Sequence, residues 1–219
     1  MSLIKVKGSS VIASSLASIP AANLTGTLPA ISGANLTGLS AGGITGADQW
    51  RQNGNTAVNG TLDPINSNWE RADHTGFGYI GSGMSNSSGV FTFPNTGFWL
   101  VTFNLSTYGN GGAVAEVYSQ IRYTSNNSSY VSVAHGVDSN SSSSYYGMSS
   151  CSTMLDITDT SNQKVRFKIY TNASTLVQGN SDENSTYVTF LRLGDTWLIL
   201  PVIVVKMSAI VNEEKFITS

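Results

Sequence analysis

The amino-acid sequence predicts an all-β protein built around one two-layered sandwich, on three observations. Turn-forming and strand-compatible residues dominate, with 22 glycines and long runs of Ser, Asn and Thr, a usage that suits strands and turns over helical bundles. Between Asp48 and Asp195, short stretches with apolar residues at every second position alternate with turn strings, the pattern of a sandwich or barrel. No stretch carries apolar residues at the spacing of an amphipathic helix. The 219 residues suffice for one substantial core with an appendage.

In chain order, residues 1–47 come first as the appendage. Gly8 to Ala47 contains no charged residue, and Ile19-Pro-Ala-Ala-Asn-Leu-Thr-Gly26 recurs twelve residues later as Ile31-Ser-Gly-Ala-Asn-Leu-Thr-Gly38, with an echo at Ile44-Thr45-Gly46. Fixed-period self-similarity points to wound or stacked structure. One chain cannot enclose aliphatics as isolated as Leu24, Ile31 and Leu36. Several parallel copies can, with one aliphatic from each chain meeting on a shared axis. The reading is an intertwined shaft; a low-complexity linker is the alternative.

Residues 48–196 form the sandwich, with about eight strands expected from the alternation. Phe77 and Tyr79 alternate first, then Phe91 and Phe93. Trp99, Val101, Phe103 and Leu105 share one strand face, with Phe98, Leu100 and Thr102 on the other. Val114 to Tyr123 follows the turn Gly109 to Gly112, and Tyr130 to Val137 follows Ser125 to Ser129. Tyr145 to Ile157 reads as a long strand or a hairpin containing the lone cysteine, Cys151, expected as a small core residue. Val165, Phe167 and Ile169 alternate with Arg166, Lys168 and Tyr170, and Tyr187 to Leu193 closes the set. Residues 197–219 read as an apolar run with a polar tail, an extra strand, a docking tail or a flap over the sandwich. Trp197 to Val205 is about half a membrane span and is interrupted by Pro201, so no membrane insertion is expected. No apolar run of export-signal length follows Met1 to Lys7.

Phe91-Thr-Phe-Pro-Asn-Thr-Gly-Phe-Trp-Leu-Val-Thr-Phe103 resembles the signature stretch of the C1q-like and tumour-necrosis-factor-like domains. Tyr187-Val-Thr-Phe-Leu-Arg-Leu-Gly194 resembles their closing strand, and Met154 to Asp159 with Lys164 to Tyr170 their pair of late strands. The likeness covers residues 61–195. It implies a jelly-roll β-sandwich that assembles as a homotrimer. Pro94-Asn-Thr-Gly97 also has a local reason, being a strong β-turn string. Two features depart from the animal members: no Gly-X-Y collagen stalk is present, and the Asn-Leu-Thr-Gly repeats stand in its place. Those repeats resemble bacteriophage tail-fibre and head-fibre shafts. The resemblance therefore implies a structural virion protein, a trimeric fibre or decoration protein anchored to other virion proteins through its shaft. A secreted C1q/TNF-like ligand, extracellular, and a carbohydrate-binding module are the alternatives.

Composition bounds the chemistry. Charged residues are 11% and the formal net charge is -2, which argues against nucleic acid as a partner, since capture needs clustered Lys and Arg. A single cysteine excludes an intrachain disulfide framework and a Cys-rich zinc site. No nucleophile elbow is found, and no carboxylate pair is placed for glycoside hydrolysis. The two histidines, His74 and His135, lie far apart, and Asp73 beside His74 would point to the opposite strand face. Gly76-Phe-Gly78 and Gly81-Ser-Gly83 lack the lysine and helix of a phosphate cradle. The chain is read as a non-enzyme that requires no cofactor. Asp156 and Asp159, and Asp182 with Glu183, are weak calcium candidates because hard oxygen ligands sit in turns.

What remains is surface. Strands that are apolar on both sides need burial on both sides, and Phe98, Leu100, Tyr118, Tyr170 and Tyr187 are the candidates for a trimer interface. The loops Gly109 to Gly112, Ser125 to Ser129, Ser139 to Ser144 and Gly179 to Ser185 are expected together at one end of the head. Within them and beside them, Asn110, Asn126, Asn127, Asn140, Tyr145 and Tyr146 are candidates for contact with a host cell-surface glycan or protein.

Overall fold

A computed structural model describes residues 43–142 and 144–196. The repeat-bearing segment 1–42, Ser143 and the segment 197–219 lie outside the described residues. Among the described residues there is no helix. Eleven strands run in the order β1 (Gly46–Gln52), β2 (Thr56–Leu62), β3 (Trp69–Arg71), β4 (Ser85–Ser87), β5 (Val90–Thr92), β6 (Gly97–Gly109), β7 (Val114–Thr124), β8 (Val131–Asn140), β9 (Tyr146–Ile157), β10 (Lys164–Val177) and β11 (Tyr187–Gly194).

They make two facing layers. One is β3-β1-β11-β6-β9. The other has β10 flanked by β7 and β8 on one side and by β2 and β5 on the other, with β4 outside β5. The layers join where Thr175 to Val177 of β10 pairs with Thr107 to Gly109 of β6, so the sandwich is nearly a closed barrel. At the other edge, β8 presses on β9 through Gly136. A Cβ there would stand 2.5 Å from the Ser150 carbonyl oxygen and 2.6 Å from the Ser149 hydroxyl.

β6 shows how alternation makes a sandwich. Its odd positions, from Trp99 to Thr107, are buried and its even ones half-buried over the whole strand. The core it enters is aromatic. Phe167 packs 4.9 Å from Phe103 and 5.4 Å from Phe91, and Trp69 and Trp50 meet Phe91 edge-on at 5.4 and 5.5 Å. Each such ring removed from water stabilises by about 1.5–3 kcal/mol.

Two strand expectations change. Phe77 and Tyr79 are not in a strand; they sit in the 72–84 loop, bridged to β1 only at Ala47 and Ile80. The glycines around them break the ladder, and arginines hold the rings instead: Arg51 lies 5.8 Å from the Phe77 ring and Arg71 4.6 Å from that of Tyr79. Conversely, β1 to β4 were not expected, and β1 opens at Gly46, two residues ahead of Asp48. Its sequence is polar on both faces, so apolar alternation is missing. It is held by pairing with β11 and by buried charge. The Asp48 carboxylate accepts from the Met84 amide at 2.6 Å, Trp50 Nε1 at 3.0 Å and Arg71 Nε at 3.1 Å. Arg51, fully buried, pairs with Glu70 at 2.8 Å and Asp73 at 2.7 Å. The Tyr145 to Ile157 stretch is one strand from Tyr146, not a hairpin. Cys151 is buried as expected.

Candidate functional site

Among the described residues, side chains that could do chemistry do not converge. No three of His, Cys, Asp or Glu are grouped to hold a metal there. Asp159 spends its oxygens on its own turn, accepting from the Ser161 amide at 2.8 Å and the Asn162 side chain at 2.7 Å. The Asn162 side chain and the Ser161 amide hold its carboxyl below the usual carboxylate range. Asp156 is exposed at the end of β9, and Asp182 and Glu183 lie in the β10–β11 loop at the opposite end of the sandwich. Glu183 accepts from the Asn180 side chain at 3.2 Å. His74 rests edge-on to Phe77 with centroids 6.5 Å apart. Burial pushes the Cys151 thiol up, a hydrogen bond from Ser119 working against it.

What the fold does build is a face. The outward residues of β11, β6 and β9 lie in register. Leu191 pairs with Leu100 and Leu100 with Met154; Thr189 with Thr102 and Thr102 with Ser152; Tyr187 with Asn104 and Asn104 with Ser150. Phe98 precedes this ladder, and Tyr108 and Tyr146 close it with ring centroids 4.8 Å apart. Met154 is 61% exposed, Met148 60% and Leu193 51%. Phe98, Met154, Leu193 and Gly194 line an apolar groove of about 300 Å³. Along the outward positions of these three strands the sole charge is Asp156. A sheet face this poor in charge asks for a partner.

Of the sequence-derived interface candidates, Phe98, Leu100 and Tyr187 come together here. Tyr118 and Tyr170 do not: they face outward from the other layer, with ring centroids 5.9 Å apart. One flat interface cannot hold all five, because β6 and β11 belong to one sheet and β7 and β10 to the other. Met148, Met154 and Leu193 were missed. For the two methionines the signal was the parity of β9, in which Cys151, Leu155 and Ile157 are buried and the even-numbered residues are exposed; for Leu193 it was the same alternation in β11, where Val188 and Phe190 are buried.

The loops also divide. Strand direction sets the 109–112, 139–144 and 179–185 loops at one end, where Tyr108 pairs with Tyr146 and the Gln178 amide donates to the Ser106 carbonyl at 2.9 Å. The 125–129 loop is at the opposite end, where the Asn127 amide donates to Asn162 at 2.8 Å. Asn126 and Asn127 therefore part from Asn110, Tyr145 and Tyr146. This corrects the expectation of one loop cluster: β7 runs back from the end that β6 reaches. Gly46 lies at the same end as the 125–129 loop, since it pairs with Arg192 and Arg192 donates to the Thr96 carbonyl at 2.8 Å. Asn126 is a turn builder, accepting from the Ser128 and Ser129 amides at 3.0 and 2.8 Å. Asn140 is also corrected. It is 3% exposed, and its amide closes the β8–β9 turn on the Tyr145 carbonyl, so it offers no contact surface. Tyr145 and Tyr146 are exposed, and Asn110 donates to Ser174 at 3.1 Å.

No family model matches the sequence, and no curated protein matches it. Solved structures do. The Eiger TNF of S. frugiperda superposes with a TM-score of 0.52 at 12% identity, over 68% of this chain and 93% of that one. Murine APRIL, crystallised at pH 5.0, superposes with a TM-score of 0.50 at 12% identity, over 68% and 98%. These likenesses establish the fold, a TNF-like jelly roll.

Proposed function

We propose that the chain is a non-enzymatic display protein that works as a homotrimer, a fibre or decoration protein of a virion presenting its jelly-roll head to a host-surface glycan or protein. The observation that carries this reading is the β11-β6-β9 face, exposed, apolar at both ends and charged only at Asp156. Burial of Met148, Met154 and Leu193 against sibling chains would remove that apolar area from water. The Ile19 to Gly26 and Ile31 to Gly38 repeats support the shaft, which would anchor the head to other virion proteins. The rim of Asn110, Tyr145 and Tyr146 lies at the end of the head opposite Gly46. Three copies held parallel would multiply weak contacts there through effective concentration.

Light scattering at low micromolar concentration tests the assembly: three chains per particle are expected, and a monomer overturns it. The Met154→Lys/Leu193→Lys double variant is expected to shift the mass to one chain while its circular dichroism stays that of a β-protein. Immunogold labelling of source particles tests the virion role. Label found on secreted material alone would favour the second reading, an extracellular TNF-like ligand, which the likeness to Eiger TNF and APRIL supports.

A further inference from the structure

The outward face of β10 and β7 lies on the layer opposite the apolar face and has the opposite chemistry. Lys164, Arg166 and Lys168 alternate along β10, so all three point to one side, roughly 7 Å apart along the strand. Arg122 of β7 is directly opposite Arg166. Like charges in that relation repel, and the Asp63 carboxylate lies between them, 2.8 Å from Arg166 Nε and 3.5 Å from Arg122 Nη1. The Tyr130 ring stacks 4.0 Å from the Arg166 guanidinium, and its carbonyl accepts from Arg122 Nη2. One carboxylate thus serves two guanidiniums. Lys164 and Lys168 form no ion pair among the described residues.

Those residues carry eleven carboxylates against seven Lys and Arg. Arg51, Arg71 and Arg192 are paired elsewhere, so every other cation is on this one face of an acidic body. The next rows are neutral and aromatic. Lys168 pairs with Gln120 and Gln120 with His135; Tyr170 pairs with Tyr118. The rings of Tyr118 and His135 are 6.4 Å apart. Glu116, on β7 beyond the tyrosines, closes the far end.

We propose that this face docks an acidic polysaccharide, with Lys164, Lys168 and the Arg122–Arg166 pair taking its carboxylates and Tyr118 and Tyr170 taking its sugar rings. Charge complementarity selects a polyanion. Aromatic rings beside amide and imidazole groups suit the mixed apolar and hydroxyl surface of a sugar. A patch of four cations moderated by Asp63 is small for a nucleic-acid track. The inference needs neither the trimer nor the virion, because the face lies on the other layer from the assembly surface.

Titration calorimetry of the full chain with polygalacturonate oligosaccharides tests it, with neutral dextran oligosaccharides and oligo-dT of matched charge as comparisons. Binding of polygalacturonate is expected. The Lys164→Gln/Lys168→Gln variant, with an unchanged melting curve, is expected to flatten the slope of log affinity against log salt by about 2. Tyr118→Ala is expected to weaken binding with the slope unchanged, which a merely electrostatic patch would not do. No binding by the wild type, equal affinity in the lysine variant, equal binding of dextran, or tighter binding of oligo-dT each overturns the proposal. Light scattering on the same samples reads the assembly separately.

Discussion

Gly97 enters β6 at φ 139°, in a region that L side chains rarely adopt. A Cβ would meet the Gly194 carbonyl oxygen at 2.5 Å and Arg192 Nε at 2.6 Å. Gly97→Ala is therefore expected to destabilise by about 1–3 kcal/mol in urea unfolding. The requirement was readable in Pro94-Asn-Thr-Gly97, because a turn string names its own glycine. Asp159 shows a residue whose effect depends on pH. Its pKa is lowered from 3.8 by the Asn162 and Ser161 donors, so the folded state binds its proton less readily than the unfolded chain. Its stabilisation is present above the unfolded value and is lost as pH falls through the folded one. Asp159→Ala is expected to remove that part of the acid-side decline in melting temperature. Cys151, whose thiol burial pushes up, is expected to resist labelling by a disulfide reagent at pH 8 until the chain unfolds.

At the scale of elements, the β8–β9 edge is set by a small residue. Gly136 lets β8 approach the Ser150 carbonyl, with Ser119 and Ser149 hydroxyls 2.7 Å apart beneath it. Gly136→Val is expected to open this edge, seen as faster amide exchange in β8 and β9 than in β6. The edge was not legible beforehand, since β8 and β9 do not pair and no local pattern announces their approach. β6 and β10 were legible because a two-residue period with large side chains survives any context. β1 was not, because the ionic partners of buried Asp48 and Arg51, and the Met84 amide that Asp48 also accepts from, lie 19 to 36 residues away in sequence.

For the whole molecule, the two outward sheet faces differ in chemistry. One is nearly uncharged over β11, β6 and β9; the other gathers Arg122, Lys164, Arg166 and Lys168. An assembly that buries the first while leaving the second in water couples stability to mass action. The melting temperature is accordingly expected to rise with protein concentration. A melting point independent of concentration over a hundredfold range would count against an obligate trimer. The aromatic core beneath both faces is shared by them, so Phe167→Ala, which removes a ring touching Phe91, Phe103 and Phe190, should cost about 3–5 kcal/mol.

Alternation and turn chemistry, local properties of the chain, determined by themselves that this protein is an all-β sandwich and which residues of β6 and β10 enter its core. Only the tertiary structure decided which strands share a layer. With that came the separation of Phe98 and Leu100 from Tyr118 and Tyr170, the placing of Asn126 and Asn127 away from Asn110, and the convergence of Arg122 with three cations of β10. The physical reason is that a strand's period fixes up from down within itself, whereas the neighbour it pairs with is chosen by burial and hydrogen bonding across the whole fold.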